Sequence, residues 1–334
     1  MKKLLKQSAN ILAARFGPHR RGYATSAAPR LWVLMYHRIL PASDPRYDDE
    51  EPGMIVTPSS FRQQMQTIKT LFDVMPLIEW VERRAQGKPL PARACAVTFD
   101  DGWLDNFEYA LPVLQAEQVP ATVFAVADMV GTHRQFWPNR LARILTAPGL
   151  DREQTAFAWL RQLPGYTANA APTPETIATL VHACKKFSDP ELAAHLDRME
   201  TALALAPPTT PNLMDWTQLR LLQASGLIDI GSHTRHHYRL VENLPASTLQ
   251  DEIVGSRSQL ENMLDRPVKL FCYPNGDVSR AAAELVAEQF AAAVTTQKGI
   301  NTVASPSHTL TRIGIHEDIS NTATRFRARL SGWV

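Results

Sequence analysis

Ala94-Cys95-Ala96-Val97-Thr98-Phe99-Asp100-Asp101-Gly102 is the stretch on which the reading of this chain turns. A compact apolar run, Ala94–Phe99, empties into an Asp-Asp-Gly turn, which is the pattern of a buried strand ending in a loop. Asn106–Gln118 then has a helical pattern, and Ala121–Ala127 (ATVFAVA) is a second apolar run. Strand, loop, helix and strand in that order predict parallel strands joined by crossover helices, an α/β fold.

The same rhythm extends outward. Upstream, Leu31–Leu40 (LWVLMYHRIL) reads as a buried strand, and Ser60 is the expected cap of a helix reaching about Phe72 through Phe61, Met65, Ile68 and Leu71. A further helix is expected over Leu77–Gln86. Downstream the rhythm breaks between about 128 and 212, where helical pieces (Gln154–Leu163, Pro174–Phe187, Pro190–Leu205) alternate with Pro-rich joints at Ala171–Pro174 and Pro207–Pro211. This is read as a helical insertion on one loop, which need not be a separate domain. Strands at Leu227–Gly231, Lys269–Tyr273, Ala291–Thr295 and Thr309–Ile315 then alternate with helices at Thr217–Ala224, Ser247–Leu264 and Ser279–Phe290. No internal repeat interrupts them.

With 334 residues, 45% of them hydrophobic, the chain can bury a large core. A formal charge of +2 gives no global electrostatic reason to expect nucleic acid as a partner. The charge is unevenly placed, however. Lys2, Lys3, Lys6, Arg15, Arg20, Arg21 and Arg30 all precede the first acid, Asp44, and Leu5, Ala9, Leu12 and Phe16 recur at helical spacing. Residues 1–30 therefore read as a basic amphipathic extension: loosely ordered, laid on an anionic membrane, or a cleaved targeting segment. It lacks the continuous apolar centre of a secretory signal, and no apolar run is long enough to span a bilayer. The expected location is cytoplasmic, with peripheral contact to the inner membrane face if the extension binds lipid. Cys95, Cys184 and Cys272 are odd in number and widely spaced, so buried free thiols are expected.

The candidate chemistry lies where strand-like runs end, the place where α/β folds assemble sites. His37 ends the first run, Asp100 and Asp101 another, and Gly231-Ser232-His233-Thr234-Arg235-His236-His237 follows a third. Tyr273-Pro274-Asn275-Gly276 ends a fourth. His233 and His237, four apart, would share one face of a helical turn and could hold one metal, leaving His236 to face elsewhere. A carboxylate with two imidazoles leaves coordination positions for water and substrate, and the second aspartate could act as a base. Trp103 and Trp137 stand where they could stack on a sugar ring or simply pack. Asp105 and Asn106 are expected as the cap and first turn of the next helix. A glycine-rich phosphate loop, a Gly-x-Ser-x-Gly elbow and a His-Glu-x-x-His motif are all absent.

Thr98-Phe99-Asp100-Asp101-Gly102 followed by His233-Thr234-Arg235-His236-His237 resembles the first two motifs of NodB-type polysaccharide deacetylases, carbohydrate esterase family four. Trp216, Ser225-Gly226 and Ile230-Gly231-Ser232 extend the likeness. The resemblance implies a distorted (β/α) barrel, residues 31–334, carrying the insertion, and a catalytic divalent metal, usually zinc, with cobalt or nickel as alternatives. It implies Asp100 as base and Asp101, His233 and His237 as metal ligands. A backbone N–H near Tyr273 would stabilise the oxyanion, with Asn275 and the two tryptophans as substrate contacts. The usual third motif begins with an arginine; here Phe271-Cys272-Tyr273-Pro274-Asn275-Gly276 lacks it, and Arg312 on the last strand could supply the cation. The usual Leu-x-His is also missing, although His308 and His316 are near. Both departures are similar to a permuted branch acting on poly-N-acetylglucosamine, in which a Tyr-His pair supplies the acid, and Met35-Tyr36-His37 looks like that pair.

The implied activity is metal-dependent removal of an N-acetyl group from an amino sugar in a poly- or oligosaccharide, lipid-linked if the extension sits on a membrane. A saccharide-binding pseudoenzyme on the same fold and a deformylase or amidohydrolase for another acyl group are the alternatives. Neither sugar, acyl group nor oligomeric state is encoded in any motif.

Overall fold

The computed structural model describes residues 2–19, 28–47, 50, 52–167, 172–206 and 208–333, without the side chains of residues 2–8, 52 and 174. Arg20, Arg21, Ala171 and Pro207, and the side chains of Lys2, Lys3, Leu5 and Lys6, thus lie outside the described residues. The chain divides into two compact units, Met1–Thr132 with Asn212–Val334, and His133–Pro211.

The first unit is a closed barrel of seven parallel strands in chain order: β1 (Arg30–Tyr36), β2 (Arg93–Phe99), β3 (Ala121–Ala125), β4 (Ile228–Ser232), β5 (Leu270–Cys272), β6 (Ala292–Lys298) and β7 (Leu310–Gly314). β7 returns beside β1, and β1 also pairs with β2, which closes the circle. Short strands at Asp73–Val74 and Asn301–Thr302 extend β2 and β1. The expected (β/α) barrel is therefore the observed architecture.

Alternation along each strand sorts residues into two layers. Leu31, Val33, Ala94, Ala96, Phe124 and Leu270 belong to an inner cluster that also takes Leu77 and Trp80 from the helix Leu77–Ala85. Their neighbours Trp32, Leu34, Tyr36, Cys95, Val97 and Phe99 belong to the outer cluster with the helices. Gly231 shows how tightly the interior is filled: a Cβ there would stand 2.5 Å from the Phe124 ring. Cys95, Cys184 and Cys272 are all buried free thiols.

Local capping corrects one expectation. The helix Pro58–Leu71 is capped by Thr57, whose hydroxyl accepts from the Ser60 N–H; Ser60 itself donates its hydroxyl to Glu317 at 2.8 Å. Pro58 sits in the first turn, where its missing N–H costs nothing.

The second unit has its own core, including Leu141, Ile144, Phe157, Leu160, Leu192 and Leu196. Its helices are Trp137–Leu145, Pro174–Cys184 and Asp189–Ala202. Ser188 and Glu191 form a reciprocal capping box at the last of these. The expected helix at Gln154–Leu163 is instead a 3₁₀ segment, Thr155–Gln162.

Candidate active site

Strand register builds the site. β1 and β2 run level from Arg30↔Arg93 to Tyr36↔Phe99, so the residues that follow, His37 and Asp100, emerge side by side. The Asp100 N–H donates to Tyr36 O at 3.0 Å, and His37 Nε2 stands 3.8 Å from Asp100 Oδ2. After Asp100 the backbone turns sharply, with Asp101 at φ 74° and Gly102 at φ 81°. A non-glycine residue held there is a local cost that the surroundings must offset. It brings Asp101 Oδ1 to 3.4 Å from Nε2 of both His233 and His237.

The two histidines meet by a route that the spacing did not predict. The segment is not a helical turn; Thr234 and His237 both have left-handed backbones, at φ 64° and 65°. That coil places the two rings 4.9 Å apart. His233 Nδ1 lies 2.8 Å from the Cys272 carbonyl, which can only accept, so Nδ1 carries a proton and Nε2, turned toward Asp101, is the ring atom left for a cation or a second proton. His236 does face away. Its Nδ1 meets Glu252 at 2.6 Å and its Nε2 meets Asp128 at 3.2 Å, while Glu252 also accepts from the backbone N–H groups of Arg235 and His236.

Asp100 is bound edge-on by Arg312, with Nη1–Oδ1 and Nη2–Oδ2 both 2.7 Å. Arg312 lies fully buried in the barrel and also donates to the Thr295 carbonyl and the Thr98 hydroxyl. Burial alone would raise the Asp100 carboxyl, but Arg312, with His233 and His37, brings it below the ordinary value. Asp101 is held further down: burial again opposes, and bonds to His233 and His237 prevail. The donor set of Asp101, His233 and His237, with all three ligand atoms within 4.8 Å of one another, suits a divalent cation of the zinc, cobalt or nickel kind. The His233 Nδ1–H bond to the Cys272 carbonyl fits that use too.

A polysaccharide deacetylase family model matches residues 87–293, more than half of the chain, spanning both Asp100-Asp101 and His233–His237. The chain belongs to the polysaccharide deacetylase family. Over 80 residues the chain is 34% identical to the poly-beta-1,6-N-acetyl-D-glucosamine N-deacetylase of Escherichia coli K12, which is 24% of this chain and 12% of that protein's length. Among solved structures it resembles the Streptococcus pyogenes deacetylase PplD in complex with acetate (18% identity, 88% of this chain and 95% of that one, TM-score 0.57). It also resembles IcaB from Ammonifex degensii (20% identity, 90% and 97%, TM-score 0.58). At these identities the structural likeness establishes the fold.

The fold gathers His37, Asp100, Asp101, His233, His237 and Arg312 into one cluster, and the other expected residues have the following partners. Trp103 is not a stacking platform. It is 4% exposed, covered by the Arg38 guanidinium 4.2 Å from its ring, and its Nε1–H donates to Asp101 Oδ2 at 2.8 Å. Tyr273 is buried against Phe271, and its own N–H donates to Val294 O, so that N–H is not available to an oxyanion. Asn275 is an exposed left-handed turn residue whose side chain donates to Asp277. Trp137 belongs to the second unit, half-buried against that unit's core.

Asp105 corrects a further expectation, because its side chain caps nothing. It accepts from Arg38 Nε at 2.9 Å and from the Ile39 N–H at 2.7 Å, while Asn106 donates to the His37 carbonyl at 2.8 Å. Arg38, Asp105 and Glu252 were missed as supports. Arg38 directly follows the Tyr-His pair, which was the one signal that could have drawn attention to it.

Proposed function

We propose that this chain hydrolyses the N-acetyl group of an amino sugar in a poly- or oligosaccharide, using a divalent metal, zinc before cobalt or nickel, held by Asp101, His233 and His237. The observation carrying this is the placement of Asp100 and His37 beside that donor set, with His37 Nε2 3.8 Å from Asp100 Oδ2. A cation there would supply Lewis acidity toward the acyl oxygen and toward water. Asp100, ionised at neutral pH, takes a proton from the attacking water as its oxygen adds to the acyl carbon. Arg312 keeps the carboxylate in one orientation during that transfer. As the carbon–nitrogen bond breaks, the leaving amine takes a proton from His37, giving acetate and the free amino sugar. The 34% identity to a poly-beta-1,6-N-acetyl-D-glucosamine N-deacetylase supports a β-linked N-acetylglucosamine oligomer as the first substrate to try.

The test measures bound metal and acetate release for the wild type, Asp100→Asn and His237→Ala. We expect metal in the wild type and Asp100→Asn, a loss of metal in His237→Ala, and a loss of activity in both variants by at least about a hundredfold. Metal without acetate release would redirect the chemistry to another acyl group. No metal after reconstitution with zinc, cobalt and nickel would favour a saccharide-binding role instead.

A further inference from the structure

The helix Lys2–Phe16 is oriented the wrong way for a helix that only packs on its own protein. It lies alongside the helix Ala323–Leu330, and the residues turned inward are small: Ala13 and Ala14 cluster with Ala328, and Gly17 abuts Ser331 so closely that a Cβ would stand 2.4 Å from the serine's. Among its described residues, the large apolar side chains point out. Ile11 and Leu12 are each 56% exposed and Phe16 54%, so Leu12 and Phe16, half of the stripe legible in the sequence, face solvent together. A surface helix ordinarily does the reverse.

Trp333 lies near the end of this helix. Ser331, against Gly17, accepts from the Trp333 N–H, and Gly332 lies against Ile300. Trp333 is 53% exposed and Val303 47%, so these two and the helix hold five of the seven exposed large apolar residues described in the chain. None of the five belongs to the cluster around Asp100 and His233.

We infer that this face docks on an anionic membrane surface. Charge selects that occupant over a second copy of the chain. Residues 1–30 carry seven Lys and Arg and no acid, and Arg15 is exposed between Leu12 and Phe16. Two such faces brought together would oppose cation to cation, whereas acidic headgroups meet the charges while acyl chains take Leu12 and Phe16. A tryptophan at the margin suits the headgroup level. The docking surface does not depend on the chemistry proposed for the barrel, and its test needs no substrate.

The full chain is sedimented with vesicles of equal parts phosphatidylglycerol and phosphatidylcholine, and with phosphatidylcholine alone. The expected result is co-sedimentation with the anionic vesicles only, weakened by added salt. The double variant Leu12→Gln/Phe16→Gln should bind at least about tenfold more weakly while unfolding at the wild-type temperature. Three results would overturn the inference: no binding to the anionic vesicles at low salt, equal binding by the double variant, or a wild-type dimer in solution that the double variant abolishes.

Discussion

Two side chains, Arg312 and Trp103, hold Asp100 and Asp101 in place for the chemistry proposed above. Arg312 occupies both oxygens of a fully buried carboxylate. Replacing it by methionine keeps much of the volume and strands the Asp100 charge, which should cost about 3–5 kcal/mol of stability. The same change removes the main cause that lowers the Asp100 carboxyl, so burial would then raise it. Residual acetate release in Arg312→Met should therefore climb with pH over a range where the wild type is flat, as measured by urea melts and a pH–rate profile. A stable variant with an unshifted profile would refute that role for Arg312. Trp103 is the counterpart on Asp101. Its indole N–H holds Oδ2 and leaves Oδ1 to face the two histidines. Trp103→Phe deletes that donor with little loss of volume, and metal affinity should fall about 10–100-fold with the fold intact. Competition with a chromophoric chelator measures it, and unchanged affinity would leave Trp103 as packing alone.

At the scale of elements, two wide i→i+5 turns support the site, one over Asn106–Ala110 and one over Asp251–Gly255. Each turns a buried acid toward a loop: Asp105 beside the first holds Arg38 and Ile39, and Glu252 in the second holds the His233–His237 segment. Such turns often occur where function needs a side chain re-aimed. Burial raises the Asp105 carboxyl to about 6, against the pull of Arg38 and the Ile39 N–H. With its folded value above the unfolded one, its contribution to stability is fully present below about pH 4 and is lost as pH rises through about 6. Asparagine at this position has no such proton to lose. The stability advantage of wild type over Asp105→Asn should thus shrink between about pH 4 and pH 8, by on the order of 3 kcal/mol. Denaturant melts at both ends of that range would show it, and a constant difference would mean that Arg38 keeps Asp105 ionised throughout. These supports also mark the limit of what could be read in advance. Each barrel strand was legible because an apolar run ends at a polar residue. Asp105 and Asn106 stand at a helix start, which hides their role as supports, and Glu252 is one charge among several on a helix face. The left-handed backbones of Asp101, Thr234 and His237 fall on residues that carry no local mark of them. The Asp100–Arg312 pair spans 212 positions, so only barrel closure brings it together.

For the whole molecule, the central question is how far the two units share their stability. The strand–helix rhythm breaks over about 128–212, where helical pieces between proline joints cannot continue a parallel sheet, and the second compact unit is His133–Pro211. What the sequence did not convey is that these pieces would close a core of their own, because that depends on which faces of Trp137–Leu145, Pro174–Cys184 and Asp189–Ala202 meet. Leu196 is fully buried in that core, which shares no residue with the clusters that fill the barrel. Leu196→Ala removes a buried side chain and leaves a cavity, at a cost of about 2–5 kcal/mol. A loss of that size exceeds what one small unit can readily absorb, and a unit with a core of its own can open locally. Amide hydrogen exchange should therefore quicken across His133–Pro211 while β1–β7 keep their protection and the Asp101–His233–His237 donors keep their metal affinity. Exchange quickening equally in the barrel strands would mean that the two units unfold as one.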